Sequence, residues 1–153
     1  MIKIYCFNKN NDVHDDAYNF YLKKIEKFVK IDVVFIEESV FDNIQKSKKN
    51  NSKIMEDRLD KLKNTKIFLL DIWSDIVDTI QFSKIIVKHV IEISEDICFV
   101  IGPSDGFSND FKKKYLNKIS FGRITLTHVI CRVILLEQIY RSFKIINNHK
   151  YHK

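Results

Sequence analysis

The sequence predicts an α/β fold: a single domain, residues 1–153, on a mostly parallel sheet. Short β-branched or aromatic runs alternate with longer segments of helical period. A chain of 153 residues also buries roughly 68–70% of the surface its unfolded form exposes, so it needs neither disulfides nor a structural metal. A third observation concerns special backbone: Gly102, Gly106, Gly122 and the only proline, Pro103, fall in one region of a chain otherwise free of both.

The strand runs are Ile2 to Phe7, Val33 to Glu37, Ile67 to Asp71, Ile97 to Ile101 and about Arg123 to Leu126. Between the first two, Ala17, Tyr21, Leu22, Ile25, Phe28 and Val29 recur at helical spacing, with Lys23, Lys24, Glu26 and Lys27 on the opposite face. A second helix is expected over about Lys53 to Lys63, and a third over about Thr79 to Ser94. Ser108 reads as the N-cap of a short helix through Phe111, Tyr115 and Leu116, with Asp110 in its first turn. The last helix, about Thr127 to Asn147, is so apolar that it must be widely buried, inside the domain or at a dimer interface.

Lys plus Arg number 26 against 20 Asp plus Glu, a net charge of +6. That excess permits an acidic partner such as RNA without demanding one. Part of it lies in a polar tract with Lys46, Lys48, Lys49 and Lys53, which reads as a solvated loop or frayed helix, or else as a surface that tracks phosphates. Apolar runs such as Ile67 to Leu70 fall far short of the roughly 20 residues of a membrane span. The opening Met-Ile-Lys-Ile-Tyr-Cys-Phe lacks the features of a secretory signal, so a cytoplasmic location is expected. Cys6, Cys98 and Cys131 are isolated among apolar neighbours and read as core residues, not as a disulfide framework or zinc ligands.

The stretch Ile97 to Ser108 reads as a buried strand ending in a tight loop before a helix, where open α/β sheets bind ligands; a plain turn is the alternative. It lacks the Gly-Lys-Ser/Thr of a P-loop and the Gly-x-Gly-x-x-Gly of a dinucleotide site. A second loop, Ser120 to His128, and the strand end at Leu70 and Asp71 would complete a pocket suited to a planar base.

On the last helix His128 and Arg132 share a face, while Glu137 and Arg141 form an i, i+4 pair on another. Arg132, set among Cys131, Val133, Ile134 and Leu135, calls for an anionic partner, a subunit or a substrate. The ending Asn147 to Lys153 reads as a basic tail, or as one that stacks on bases and holds phosphates. His149 and His152 have no Cys or acid at ligand spacing, so no metal is expected.

Taken together, Val-Ile-Gly-Pro-Ser-Asp-Gly-Phe-Ser, Ile-Ser-Phe-Gly-Arg-Ile-Thr-Leu-Thr-His, the run from Arg132 to Ile145 and the Tyr-His-Lys ending closely resemble the RlmH family of SPOUT-class rRNA methyltransferases. The match runs in order from about Phe68 to Lys153. The resemblance implies a deep C-terminal trefoil knot, the alpha-beta knot architecture, and a homodimer. It implies an enzyme that uses S-adenosylmethionine to methylate N3 of a pseudouridine in the intersubunit hairpin of 23S rRNA, in assembled ribosomes. The methyl donor would be held by Leu70, by the loop with Gly102, Pro103 and Gly106, and by Phe121, Gly122, Arg123, Ile124, Thr125 and Leu126. His128, Arg132, Tyr151 and His152 are the expected catalytic residues: His128 or the tail to assist deprotonation or orient the base, Arg132 to hold phosphate or stabilise the developing anion. The chain departs from the family's usual Gly-Gly at Gly102-Pro103, and Pro103 has no N–H to donate. The competing readings are a non-catalytic ribosome-associated RNA-binding protein of the same fold and a nucleotide-binding regulatory domain.

Overall fold

The computed structural model describes residues 1–8 and 15–147. The elements in order are β1 (Ile2–Phe7), α1 (Asp15–Ile25), β2 (Ile31–Ile36), α2 (Ile44–Leu59), β3 (Thr65–Leu70), α3 (Thr79–Ile86), β4 (Asp96–Ile101), α4 (Asn109–Lys114), β5 (Lys118–Ile119) and α5 (His128–Ile146). A π-helical segment, Val87–Glu92, continues α3.

All strand pairings are parallel, in the order β2-β1-β4-β3-β5. A parallel sheet needs crossover helices on its faces, and its strands are accordingly near-continuous apolar runs. Ile2, Ile4, Phe68, Phe99 and Ile101 face a core completed by Phe82 and Ile86 of α3 and by Leu135, Leu136 and Ile139 of α5. Tyr5, Phe7, Leu69, Cys98 and Val100 face the other, with Met55 and Leu59 of α2 and Phe111 of α4. Cys6 and Cys98 are buried and Cys131 is half-buried.

Four expectations are corrected. The fifth strand is Lys118–Ile119, two residues long, and 123–126 is irregular. Gly122 at φ +141° breaks the extended path there, and the Ser120 hydroxyl ties the turn by accepting from the Gly122 N–H and donating to its carbonyl. Second, α2 begins at Ile44, capped by the Asn43 side chain, so the polar tract is helical. The inner face of its first half is polar: Ser47 bonds both backbone groups of Phe41, Asn51 both of Ser39, and the Ser52 hydroxyl accepts from the Ser108 N–H. A periodicity of apolar residues therefore has nothing to detect there. Third, α1 stops at Ile25, whose carbonyl accepts from both Phe28 and Val29 in the closing turn. Fourth, the helix expected through Ser94 widens to π geometry after Ile86. The cap of α4 by Ser108 and the start of α5 after its cap Thr127 agree with the sequence.

Candidate methyl-donor cavity

The carboxyl ends of β3, β4 and β5 open onto a cavity of about 700 Å³. Leu70 supplies the end of β3, and Ile101 leads into the Gly102 to Gly106 loop. The Gly106 N–H donates to the Pro103 carbonyl at 2.9 Å, closing a turn. Pro103 is buried against the cavity, so its missing N–H leaves no orphan and its carbonyl is already engaged. Gly102 is needed for close approach: a Cβ there would meet the Phe107 ring at 3.2 Å.

The opposite wall is residues 121–126, held down by the segment that follows β3. The Ser120 N–H donates to the Asp75 carbonyl and the Val77 N–H to the Ser120 carbonyl, each at 2.9 Å. The Arg123 guanidinium donates to the Ile72 carbonyl. These bonds pin the start of the irregular stretch, at Ser120 and Arg123, to the segment that follows β3.

All ten residues expected at the donor, Leu70, Gly102, Pro103, Gly106 and 121–126, line this one cavity, and His128 joins them. Arg132 does not. It sits one turn further along α5 and is almost fully buried, with Nη1 3.3 Å from the Asn8 carbonyl and 3.6 Å from Cys6 Sγ. Its guanidinium lies over the Phe35 and Tyr18 rings at 4.9 and 5.6 Å, and its Nε has no hydrogen-bond partner among the described residues. Tyr151 and His152 lie outside the described residues.

The structure adds residues the sequence reading passed over. Lys48 of α2 reaches the cavity from the polar tract, and Trp73, the only tryptophan, lines it while staying mostly exposed. Lys112 lines it too, and pairs with Asp71 at 3.0 Å. Glu38, just past β2, accepts from the Ser104 N–H and hydroxyl and from Asn8 Nδ2, tying the glycine loop to the ends of β1 and β2. The usable signal was the spacing of Ser47, Asn51 and Ser52, a polar stripe at helical period in a tract read only for its charge. Cys131 also lines the cavity, and burial pushes its thiol up to about 11. No group of three metal-ligating side chains converges among the described residues, and no helix there is long and apolar enough to cross a membrane.

The family model described as "Predicted SPOUT methyltransferase" matches residues 1–152. Two curated relatives named Ribosomal RNA large subunit methyltransferase H, from Mycoplasma capricolum and Mycoplasma mycoides, are 40% and 41% identical over 99% of each chain. A third of that name, from Malacoplasma penetrans, is 42% identical, again over 99% of each chain. Among solved structures, a probable methylase family protein from Haemophilus influenzae matches with a TM-score of 0.56 at 11% identity, over 96% of this chain and 66% of that one. That likeness concerns the fold alone. A parallel sheet, two loops walling a cavity at its carboxyl edge, and a family match spanning nearly every residue agree: this chain belongs to the SPOUT methyltransferase family.

Proposed function

We propose that the protein is an S-adenosylmethionine-dependent methyltransferase acting on N3 of a pseudouridine in the intersubunit hairpin of 23S rRNA, in assembled ribosomes. The observation that carries this reading is the cavity itself: the segments that resemble the family's donor site line one concave space of about 700 Å³. A space of that size suits a nucleoside-sized ligand. Its walls fit the donor's parts: Leu69, Ile101, Phe107 and Ile134 give apolar surface for a planar base, and the Asp71 and Asp105 carboxylates are acceptors for hydroxyl or ammonium groups. When bound, the donor supplies an already electrophilic methyl group.

The chain's own work is therefore alignment and proton removal. The fixed 120–123 wall and the Glu38-anchored glycine loop hold the donor in one orientation without rearrangement. His128, at the first turn of α5, or a residue of the tail, His152 or Tyr151, assists N3 deprotonation or orients the base; that His128 lines the cavity supports this reading. Arg132 acts from beneath: its guanidinium fixes the turn of α5 after His128 to the end of β1. It is a positioning residue.

The functional unit is a homodimer, a single knotted domain per subunit, working in the cytoplasm. The apolar side chains of Trp73 and Ile124 line the cavity yet stay exposed, and Ile76 and Ile130 are exposed as well, the composition of a surface that another chain covers. The knot requires the C-terminal chain to thread a loop, and the pinning of 120–123 beneath 72–77 supports that path.

The test is methyl transfer. Incubation with S-adenosylmethionine labelled in its methyl group and ribosomes from a strain lacking the modification is expected to label N3 of one pseudouridine, located by nuclease digestion and mass spectrometry. Donor binding with no transfer to ribosomes would refute the substrate. No donor binding would favour the non-catalytic RNA-binding reading.

A further inference from the structure

A second depression of about 350 Å³ lies away from the donor cavity. It is lined by Lys66 of β3, Lys84 of α3, Lys88 and His89 of the π-helical segment, and Asn117 before β5, over a floor of Phe68 and Ile85. It exists because β5 is so short. Only Leu69 and Leu70 of β3 pair with it, so the β3 edge from Thr65 to Phe68 has no neighbouring strand. The widened turn after Ile86 then places Lys88 and His89 beside that edge.

Lys112 is paired with Asp71, Lys114 with Glu56 and Asp60, Lys53 with Asp57, and Lys3 with Asp96. Lys66, Lys84 and Lys88 have no acidic partner within 4.0 Å among the described residues. No carboxylate is among the residues that line the depression, and His89 Nδ1 is engaged by Glu95 at 2.7 Å. Three lysines from three segments thus line one concave site together with Phe68 and Ile85, and lysine presents its charge to an anion from an apolar stem.

We propose that this groove binds the phosphate backbone of the substrate RNA. The proposal rests on the RNA methyltransferase reading and names a surface that reading lacked. A polymer is indicated by position: Lys66 and Leu70 are separated by four residues of one strand, about 13 Å, and Leu70 is on the donor cavity. A ligand that reaches both must be extended and anionic along its length. The groove has no exposed ring on which a base would stack, Phe68 being buried, so it holds backbone rather than reading sequence.

The experiment is ribosome binding by the full chain as a function of KCl, comparing wild type, the triple reversal Lys66→Glu/Lys84→Glu/Lys88→Glu, and a control reversal Lys61→Glu/Lys63→Glu/Lys113→Glu. Affinity of the groove variant is expected to fall on the order of 100-fold near 0.15 M salt, and the slope of log Kd against log salt to drop by about two to three. S-adenosylmethionine affinity, measured on the same samples, should stay at the wild-type value and certifies folding; should the triple reversal fail to fold, the single change Lys84→Gln is read in its place, with a slope drop near one. A groove variant with wild-type affinity and slope overturns the proposal, as does an equal loss in the control. If wild type itself does not bind ribosomes, the RNA methyltransferase reading has failed and the groove with it.

Discussion

Ser104 and Glu38, 66 residues apart, are joined twice: the Ser104 N–H and hydroxyl donate to the two carboxylate oxygens of Glu38 at 2.8 and 3.0 Å. The same carboxylate accepts from Asn8 Nδ2 at 2.9 Å, and the Asn8 carbonyl accepts from Arg132. Four side chains or backbone groups thus link α5 to the glycine loop through the ends of β1 and β2. Glu38→Ala removes the centre of that chain without touching the cavity wall. Donor affinity should weaken roughly five- to tenfold, the scale of charge-assisted hydrogen bonds at a solvent-exposed site. Calorimetric titration with S-adenosylmethionine checks it, and an unchanged affinity would show that the loop holds itself.

The Phe107 ring occupies the space where Gly102 would carry a side chain, and stacks on Phe111 at 4.1 Å between centroids. Gly102→Ala must displace that ring by a few tenths of an ångström. The expected cost is about 1 kcal/mol, at the low end for overpacking, read as a lower urea midpoint at constant m. Donor affinity should drop with it, because the displaced backbone is the cavity wall.

Arg132→Met keeps bulk but removes the charge and the bond to Asn8. Turnover on ribosomes should fall at least tenfold while donor affinity changes less than threefold, since the guanidinium is not on the donor cavity. A positioning role further predicts that Arg132→Lys, which keeps the charge but loses the planar contact with Phe35, recovers only part of kcat with KM unchanged.

Cys131 lines the cavity with its thiol raised to about 11, and Cys98 is raised to about 12, both chiefly by burial. Burial disfavours the reactive thiolate in each. Iodoacetamide at pH 8 should therefore alkylate the folded protein far more slowly than the same protein in urea, followed by mass spectrometry. Rapid native labelling of Cys131 would show that the cavity opens to solvent.

Asp96 is hydrogen-bonded by Lys3 at 2.7 Å and by the Met1 ammonium at 2.9 Å, and these hold its carboxyl below the usual carboxylate range. A depressed folded-state pKa stabilises above the unfolded value, near 3.9, and the gain disappears as pH falls through the folded value. Asp96→Asn should thus lower the urea midpoint at pH 7. By pH 2.5 the gap between variant and wild type should have narrowed, and a constant gap across that range would contradict the ion-pair account.

The parts of this molecule that sequence reveals are those where one local rule decides. The runs of β1 and β4 are buried on both faces, and β3 is so at Phe68 and Leu69, so continuous apolar sequence marked them. That the residues now lining one cavity belong together was legible because glycine and proline are so scarce here that their clustering, together with ordered motifs, marked its walls. What escaped depends on partners distant in the chain. The 123–126 run looks like a strand, yet it follows Gly122 at positive φ, and the bonds to residues 72–77 come from the Ser120 backbone and the Arg123 side chain. The inner face of the first half of α2 is polar because it answers backbone groups of Ser39, Phe41 and Ser108. Arg132 and His128 share a helical face by periodicity, but one turn of α5 separates a cavity wall from a packed interior.

The strand order also fixes when this protein becomes a protein. β1, the first strand made, lies between β2 and β4, and β4 ends at Ile101; α1 likewise waits for α5, which starts at His128. An emerging chain therefore carries β1 with one edge bare until some two thirds of it has been synthesised. Closing loops of that length is slow compared with forming local helices. The first half of the molecule is thus held without its core while translation continues, and native structure appears as a late, single event near release.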